Sequence, residues 1–368
     1  MEFICNKNEI SDAINNVSKA VSSKTTIPAL EGIKINLSYN LLELTGYDLS
    51  MGIKAQINVK SEDTGICVIN ARLFSDIIRK MPQEDILINV DEMLNVNIKS
   101  GKTNYNILAL SSEEYPNLPS FDKENNSFKI NQSVLKSMIN QTNFAVSLSD
   151  VKPILTGELF DIENNNFNMV AIDGYKLAIR NENILSENDF NFVVPSKSLQ
   201  ELSRILKDDD SVECNIYSDE KHVIFELSNY MIYSRLLAGE FHKYKASIPD
   251  KFKTEIIVKT KELLDCVDRC SLLVNEKNKG PVKFTIKNNV LDIYCKTDIG
   301  KIQEEIEIEL SGDCLEIGFN NKYLVDALKA AETDKIRIQI TSSNKAVKIV
   351  PLQGESFIFI LMPVQIKS

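Results

Sequence analysis

Asn70-Ala-Arg-Leu-Phe-Ser-Asp-Ile-Ile-Arg-Lys-Met81, Pro195-Ser-Lys-Ser-Leu-Gln-Glu-Leu-Ser-Arg-Ile-Leu206 and Asn320-Asn-Lys-Tyr-Leu-Val-Asp-Ala-Leu-Lys-Ala-Ala331 align without a gap, each 125 residues after the one before. Phe74, Leu199 and Leu324 superpose, and so do Ile77, Leu202 and Ala327, at the three-and-four spacing of one buried helical face. A repeat of that length is a whole domain, so three copies of one fold are expected.

An earlier helix is expected in each copy. Ile10, Ala13, Ile14 and Val17 in the first are answered by Leu135, Met138 and Ile139 in the second and by Leu263, Leu264 and Val267 in the third. Asp48, Asp173 and Asp298 recur at the same step and read as turn residues or caps. Alternating runs at 32–37, 41–45, 53–59, 66–69, 86–90, 94–98 and 104–108 read as strands, so each copy is α+β. Polar or proline-marked stretches at 120–127 and 247–254 place the domains at 1–121, 128–247 and 254–368.

With 26% charged and 43% hydrophobic residues, 13 Gly and 10 Pro, the composition is that of a folded globular protein. The amino terminus, Met1-Glu2-Phe3-Ile4-Cys5-Asn6, begins no apolar run of signal-peptide length. The longest apolar run, 357–364, is far short of the ~20 residues a membrane helix needs and reads as a buried strand. A cytoplasmic protein without a membrane partner is therefore expected. Its seven cysteines contain no C-x-x-C pair and read as reduced thiols.

The net charge of −10 argues against coating nucleic acid by bulk charge, but not against a local basic surface. Arg72, Lys197 and Lys322 share one repeat position, and Arg79, Arg204 and Lys329 share another seven residues, about two helical turns, further on. Lys80 and Lys207 extend this set, and Lys19 is matched to Arg269. On any one helix such cations read as a solvated face. Their recurrence in three diverged copies points to one polyanion-facing surface. Aromatic residues are not interleaved with them, which favours a duplex backbone over single-stranded bases.

Signals for catalysis are weak. His222 and His242 have no partner pattern for a triad or a metal site. Gly101-Lys102-Thr103 resembles the end of a phosphate-binding loop, but Val96 stands where the first glycine must be, and a hairpin fits better. Cys266 and Cys270, one helical turn apart, read as buried thiols. No catalytic residue, metal or cofactor is expected. A hydrolase on repeated domains, or a scaffold that never meets DNA, are the rival classes.

Thr26-Ile-Pro-Ala-Leu30, Thr45-Gly-Tyr-Asp-Leu49, Tyr115-Pro-Asn-Leu118, Ala171-Ile-Asp-Gly-Tyr-Lys-Leu-Ala178, Asn275-Glu-Lys277, Glu316-Ile-Gly-Phe-Asn320 and Met362-Pro-Val-Gln-Ile366 together, in this order and spacing, resemble the bacterial DNA polymerase III beta subunits, the sliding clamps, over essentially the whole chain. The resemblance implies three like domains with two inner helices and outer antiparallel sheets each, closed head to tail as a homodimeric ring. It implies a non-catalytic processivity factor of the replicative polymerase that encircles duplex DNA without sequence specificity. Twelve helices about 9 Å apart, each about 10 Å thick, leave a bore of roughly 25 Å, through which a duplex passes loosely.

By the same resemblance Lys24, Ser149 and the stretch from Lys152 to Ile154 lie on inner loops near DNA, although the family often has aromatic residues where this chain has Pro153 and Ile154. A pocket between the second and third domains takes short linear motifs of the replicative polymerase alpha subunit, the clamp loader, translesion polymerases, mismatch-repair proteins and ligase. Carried over by position, its walls are Leu155, Ile172, Gly174, Tyr175, Lys176, Leu177, His242, Ser247, Asn320, Tyr323, Asn344, Ala346, Ile360, Met362, Pro363, Val364, Gln365 and Ile366. Tyr175 and Lys176 replace the family's common His and Arg, His242 a usual Pro, and Gln365 a usual Arg, so peptide preference is expected to differ. Tyr105, Ile107, Leu272 and Leu273 fit the family's apolar contact across the dimer joint, with ordinary core as the alternative.

Overall fold

The computed structural model describes residues 1–22, 25–82, 85–120, 126–274 and 280–366. Six α-helices are present among them: α1 Lys7–Val17, α2 Ala71–Lys80, α3 Gln132–Thr142, α4 Ser196–Ile205, α5 Thr260–Cys270 and α6 Asn321–Ala330. The later helix of each copy begins at the expected step, at 71, 196 and 321. For the earlier helix the step holds from α1 to α3 but lengthens to 128 before α5. The core positions of α5 are consequently Leu263, Cys266, Val267 and Cys270, in the places of Ile10, Ala13, Ile14 and Val17. Leu264, expected in that set, is only partly buried, and Arg269 corresponds to Asn16 rather than to Lys19. Three extra residues ahead of the helix rotate the apparent match by nearly one turn.

Asparagines start three of the helices by accepting orphan backbone N–H groups. Asn6 accepts from Asn8 at 2.9 Å, Asn70 from Leu73 at 3.1 Å and Asn320 from Lys322 at 3.0 Å. Asn70→Ala is expected to lower the unfolding free energy by about 1 kcal/mol, measured as a urea midpoint shift at unchanged slope.

The chain packs as two compact units, Met1–Gln132 with Arg204–Leu236, and Ser133–Ser203 with Leu237–Ser368. In the first, a four-stranded sheet runs Glu2–Asn6, Asp85–Val90, Asn95–Ser100, Thr103–Leu108. An eight-stranded sheet runs Thr64–Asn70, Gly32–Ser38, Leu41–Tyr47, Met51–Asn58, Tyr230–Arg235, His222–Glu226, Glu213–Ser218, Asn126–Asn131. Its central rung joins two copies of the repeat, with Ile53 opposite Ile232. All seven strands expected for the first copy are present, and Glu2–Asn6 adds one that the amino-terminal sequence did not signal.

In the second unit a nine-stranded sheet runs Phe190–Pro195, Gly157–Glu163, Asn166–Ile172, Lys176–Asn183, Phe357–Leu361, Val347–Pro351, Lys335–Ile340, Thr254–Lys259, Glu309–Gly312. Here Lys176–Asn183 pairs with Phe357–Leu361, Ala178 facing Phe359, so a strand pairing again joins two copies. A four-stranded sheet runs Gly300–Glu307, Val290–Thr297, Val282–Lys287, Leu315–Phe319. The apolar run expected as a strand over 357–364 ends at Leu361, and Met362 and Val364 are exposed.

The turns follow the sequence reading. Gly101 and Lys102 form the hairpin between Asn95–Ser100 and Thr103–Leu108. Asp48 Oδ1 accepts from Ser50 and Met51 N–H, and Asp173 Oδ1 from Tyr175 and Lys176 N–H, at 2.7 to 3.0 Å. Gly174, between Asp173 and Tyr175, sits at φ +92°, where side chains are disfavoured. Six of the cysteines are buried and Cys314 is exposed.

Among the described residues, one acid lies inside. Glu158, on the strand Gly157–Glu163, is fully buried. Asn143 Nδ2 donates to its Oε1 at 2.6 Å and to Ser196 Oγ at 2.8 Å, tying the end of α3 to the start of α4. Thr142 Oγ1 donates to the Glu158 Oε2 and also lies 2.8 Å from Met138 O, so its one proton is shared between two acceptors. Burial pushes the carboxyl pKa up to about 7, against the lowering effect of the Thr142 and Asn143 contacts.

Candidate functional site

The six repeated cations are all exposed: Arg72 and Arg79 on α2, Lys197 and Arg204 on α4, Lys322 and Lys329 on α6. On each helix the opposite face is buried, by Phe74, Ile77 and Ile78, by Leu199 and Leu202, and by Leu324, Ala327 and Leu328. The seven-residue step therefore does put both cations of each helix away from its core. Lys80 and Lys207 are exposed beside them. Arg79 pairs with Asp76 one turn back, at 2.6 Å, an exposed pair that contributes little.

Arg269 behaves differently. Its Nε donates to Glu304 Oε1 at 2.7 Å, a second guanidinium nitrogen meets Oε2, and the same nitrogen donates to Cys266 Sγ at 3.2 Å. The guanidinium holds the Glu304 carboxyl below its usual range, so most of this charge is compensated by the sheet beneath. Lys24 lies outside the described residues.

The carried-over docking residues fall around two neighbouring cavities in the second unit. The first, about 470 Å3, has Ile172, Leu177 and Ile360 as its apolar floor. Its walls are Leu155, Gly174, Tyr175, Lys176, His242, Ser247, Ala346 and Met362. His242 Nε2 lies 3.2 Å from Ser247 Oγ. Lys152 and Ile154, read as inner-loop residues, are part of this wall, and Glu240 joins them without having been singled out. The second cavity, about 1040 Å3, takes Asn320, Tyr323, Val364 and Gln365, together with Ser149. Asn344, Pro363 and Ile366 line neither. Asn344 Oδ1 accepts from Ser342 Oγ at 2.8 Å, and Ile366 lies against Gly318, where a Cβ would come within 2.8 Å of it.

Lys176 divides the two cavities. It is 8% exposed; its ammonium donates to Phe144 O and lies 5.1 Å from the Tyr323 ring centroid and 5.7 Å from that of Phe144. Burial lowers its pKa while Asp173, 3.9 Å away, raises it. Such a lysine is a wall element with its stem against rings. Tyr175, 63% exposed, stacks on Tyr323 at 6.4 Å. An apolar floor with a few polar groups at the rim suits a short peptide whose apolar side chains enter and whose backbone is oriented at the edge.

Nothing local in the sequence marked Glu240 as part of a site. It stands in an irregular segment with no periodicity, and only folding brings it to Ile172 and Ile360. Among the described residues no group of His, Cys, Asp and Glu could hold a metal ion, and no helix is long and apolar enough to cross a membrane.

Three family descriptions match in chain order: DNA polymerase III beta subunit, N-terminal domain, over residues 1–119, central domain over 129–243 and C-terminal domain over 245–365. The beta sliding clamp of Bacillus subtilis strain 168 is 37% identical, over 99% of this chain and 100% of that protein. The crystal structure of the DNA polymerase sliding clamp from Bacillus subtilis superposes at TM-score 0.95, with 36% identity and full coverage of both chains. A Pseudomonas aeruginosa DnaN sliding clamp solved bound to griselimycin superposes at 0.94, with 26% identity and full coverage of both. Matched domain by domain from one end to the other, the chain belongs to the DNA polymerase III beta subunits, the sliding clamps, whose role is that of a non-catalytic processivity subunit.

Proposed function

We propose that two protomers close head to tail into a ring around duplex DNA, with domains 1–121, 128–247 and 254–368, and that the ring holds its partners by linear peptides. The carrying observation is a pattern of sheet edges. Met51–Asn58 pairs with Tyr230–Arg235, and Lys176–Asn183 with Phe357–Leu361, in each case joining two copies of the repeat. Gly300–Glu307 is the third strand of the first kind and Thr103–Leu108 the third of the second kind; among the described residues, each ends its sheet without a neighbour. Pairing one with the other across two protomers repeats the junction and closes the ring, and it removes two open edges. Tyr105 and Leu272 are exposed at this place while Ile107 and Leu273 are half-buried, which favours the joint over the core for the first two.

Arg72, Arg79, Lys80, Lys197, Arg204, Lys207, Lys322 and Lys329 then face the duplex, with Lys24 and Ser149 near it. Contacts to phosphates attract without a deep minimum at any step, so the ring slides, and topology rather than affinity keeps it on. Lys152 is assigned to the docking pocket instead, and Arg269, paired with Glu304, to structure. The first cavity with the adjoining Asn320, Tyr323, Val364 and Gln365 docks polymerases, the clamp loader and repair proteins. A sliding clamp of the same family is known bound to griselimycin.

Retention tests the reading. A loaded ring stays on closed circles in moderate salt and leaves when the circle is cut; equal retention on both forms, or turnover with no partner added, rejects it. Charge reversal at Arg79, Arg204 and Lys329 together is expected to lower the slope of log affinity against log salt by about three per protomer, with peptide docking unchanged. Equal loss of both activities points to misfolding.

A further inference from the structure

Three thiols meet beneath the edge strand Gly300–Glu307, two from the end of α5 and one from the strand Val290–Thr297. Cys266 is engaged: its Sγ meets Glu304 Oε2 at 3.3 Å and accepts from Arg269 at 3.2 Å. Cys270 and Cys295, 1% and 0% exposed, touch each other through a thiol-to-thiol hydrogen bond. We propose that hydrogen peroxide closes Cys270 and Cys295 into a disulfide and that closure loosens the joint between protomers. The second half rests on the edge-to-edge ring closure proposed above.

Proximity decides which thiols react together. Burial pushes Cys5 and Cys67 up to about 12, and among the described residues neither has a second thiol acting on it, so each is inert. At the pair, the mutual hydrogen bond, then burial and the Glu304 carboxylate, push the Cys270 thiol up, and the same hydrogen bond holds Cys295 down. Cys295 is therefore the sulfur that ionises and attacks. Its thiolate takes one peroxide oxygen; the O–O bond breaks, giving a sulfenic acid and a hydroxide that leaves as water with the thiol's proton. The Cys270 sulfur then attacks the sulfenic sulfur, the S–O bond breaks, and the departing hydroxide leaves as water with the Cys270 proton. Two thiols lose two electrons and two protons, and the peroxide becomes two waters. Peroxide enters when the last turn of α5 opens, an end followed within two residues by the 80% exposed Leu272.

The backbone ties this pair to the joint. Cys270 O accepts from Leu273 N–H at 3.0 Å and from Val274 N–H at 3.2 Å. Leu273 in turn lies over Gly300, where a Cβ would come 3.5 Å from its Cδ2, and Cys295 is opposite Ile302 in the ladder. A disulfide holds its sulfurs about 2 Å apart, roughly 1.5 Å closer than sulfurs in contact. Closure draws the end of α5 onto the sheet and shifts Leu272 and Leu273 against the edge that the partner must match.

Full-length protein carrying Cys314→Ser, which removes the exposed thiol, is treated with hydrogen peroxide, alkylated, digested and mapped by mass spectrometry. A peptide pair joined through Cys270 and Cys295, and separated by dithiothreitol, is expected. Dimer affinity read by sedimentation is expected to be about tenfold weaker in the oxidised protein, the loss of one interface contact, and to return on reduction. Adding Cys295→Ala is expected to leave the reduced dimer as tight and make it indifferent to peroxide. Should that core variant misfold, the comparison of oxidised with reduced Cys314→Ser protein decides both halves by itself. Both thiols found free after treatment, or Cys295 oxidised singly, overturn the disulfide. A disulfide with unchanged dimer affinity overturns the coupling. Reduced protein that sediments as a single chain overturns the ring joint and the coupling together, and the joined peptides, present or absent, still decide the pair.

Discussion

Glu158→Gln is expected to stabilise the protein by about 3 kcal/mol at pH 8 and by less than about 1 kcal/mol at pH 5. The carboxyl is raised from 4.5 to about 7 in the folded state. Between these values the folded protein holds the proton and the unfolded chain has lost it, so the unfolded state binds fewer protons and stability falls as pH rises. The full penalty is in place above the folded pKa. Below 4.5 both states are protonated and the penalty vanishes. Glutamine keeps the shape and stays neutral: its oxygen still accepts from Asn143, and its amide N–H faces Thr142 Oγ1, whose proton then goes to Met138 O. Comparing variant and parent at one pH cancels every other titrating group. Urea unfolding at the two pH values reads the difference. A gain equal at pH 5 and pH 8, or a Glu158 carboxyl resonance that titrates near 4.5, would show that the acid is ionised where it sits.

The other large effect is expected at the proposed joint. Leu108 and Leu272 are 68% and 80% exposed, and Leu108 ends the edge strand Thr103–Leu108. Surface apolar groups of that size beside an open sheet edge are what a dimer contact buries. Placing Asp at both puts two unpaired charges into each of the ring's two joints, and each charge is expected to cost at least about 2 kcal/mol, on the order of a thousandfold per joint. Sedimentation is expected to move from twice the 41.5 kDa chain mass to the single-chain mass. Retention on circular DNA is expected to disappear, while the folded protomer keeps its melting transition and its affinity for a docked peptide, because neither side chain lies in a core or a docking cavity. A double variant that remains dimeric places the joint elsewhere.

Much of this architecture is legible before folding, and where the reading slipped the cause is physical. The match of α2, α4 and α6 rests on apolar side chains at a fixed helical spacing, and it survives because each helix covers an equivalent core. The α5 assignment slipped because Leu263 and Val267 fit two alignments one turn apart, and only burial separates Leu264 from Cys266. Arg269 read as a free cation because Glu304, which neutralises it, is 35 residues away along the chain. The docking residues were reachable through family resemblance at Leu155, Ile172, Ile360 and their neighbours. Their division into two cavities was not, since it depends on where the Lys176 ammonium lies among Phe144, Tyr323 and Asp173.

By itself the sequence determined the threefold α+β repeat, the strand and turn positions, and the outward cations, because periodicity, turn chemistry and helical phase are settled by residues a few places apart. Tertiary structure alone decided which strand edges pair and which stay open, why the Glu158 pKa is raised, and where one cavity gives way to the next. Those outcomes depend on burial and on contacts between segments distant in the chain, and no local pattern encodes the dielectric or the neighbours that a side chain meets once the backbone has closed around it.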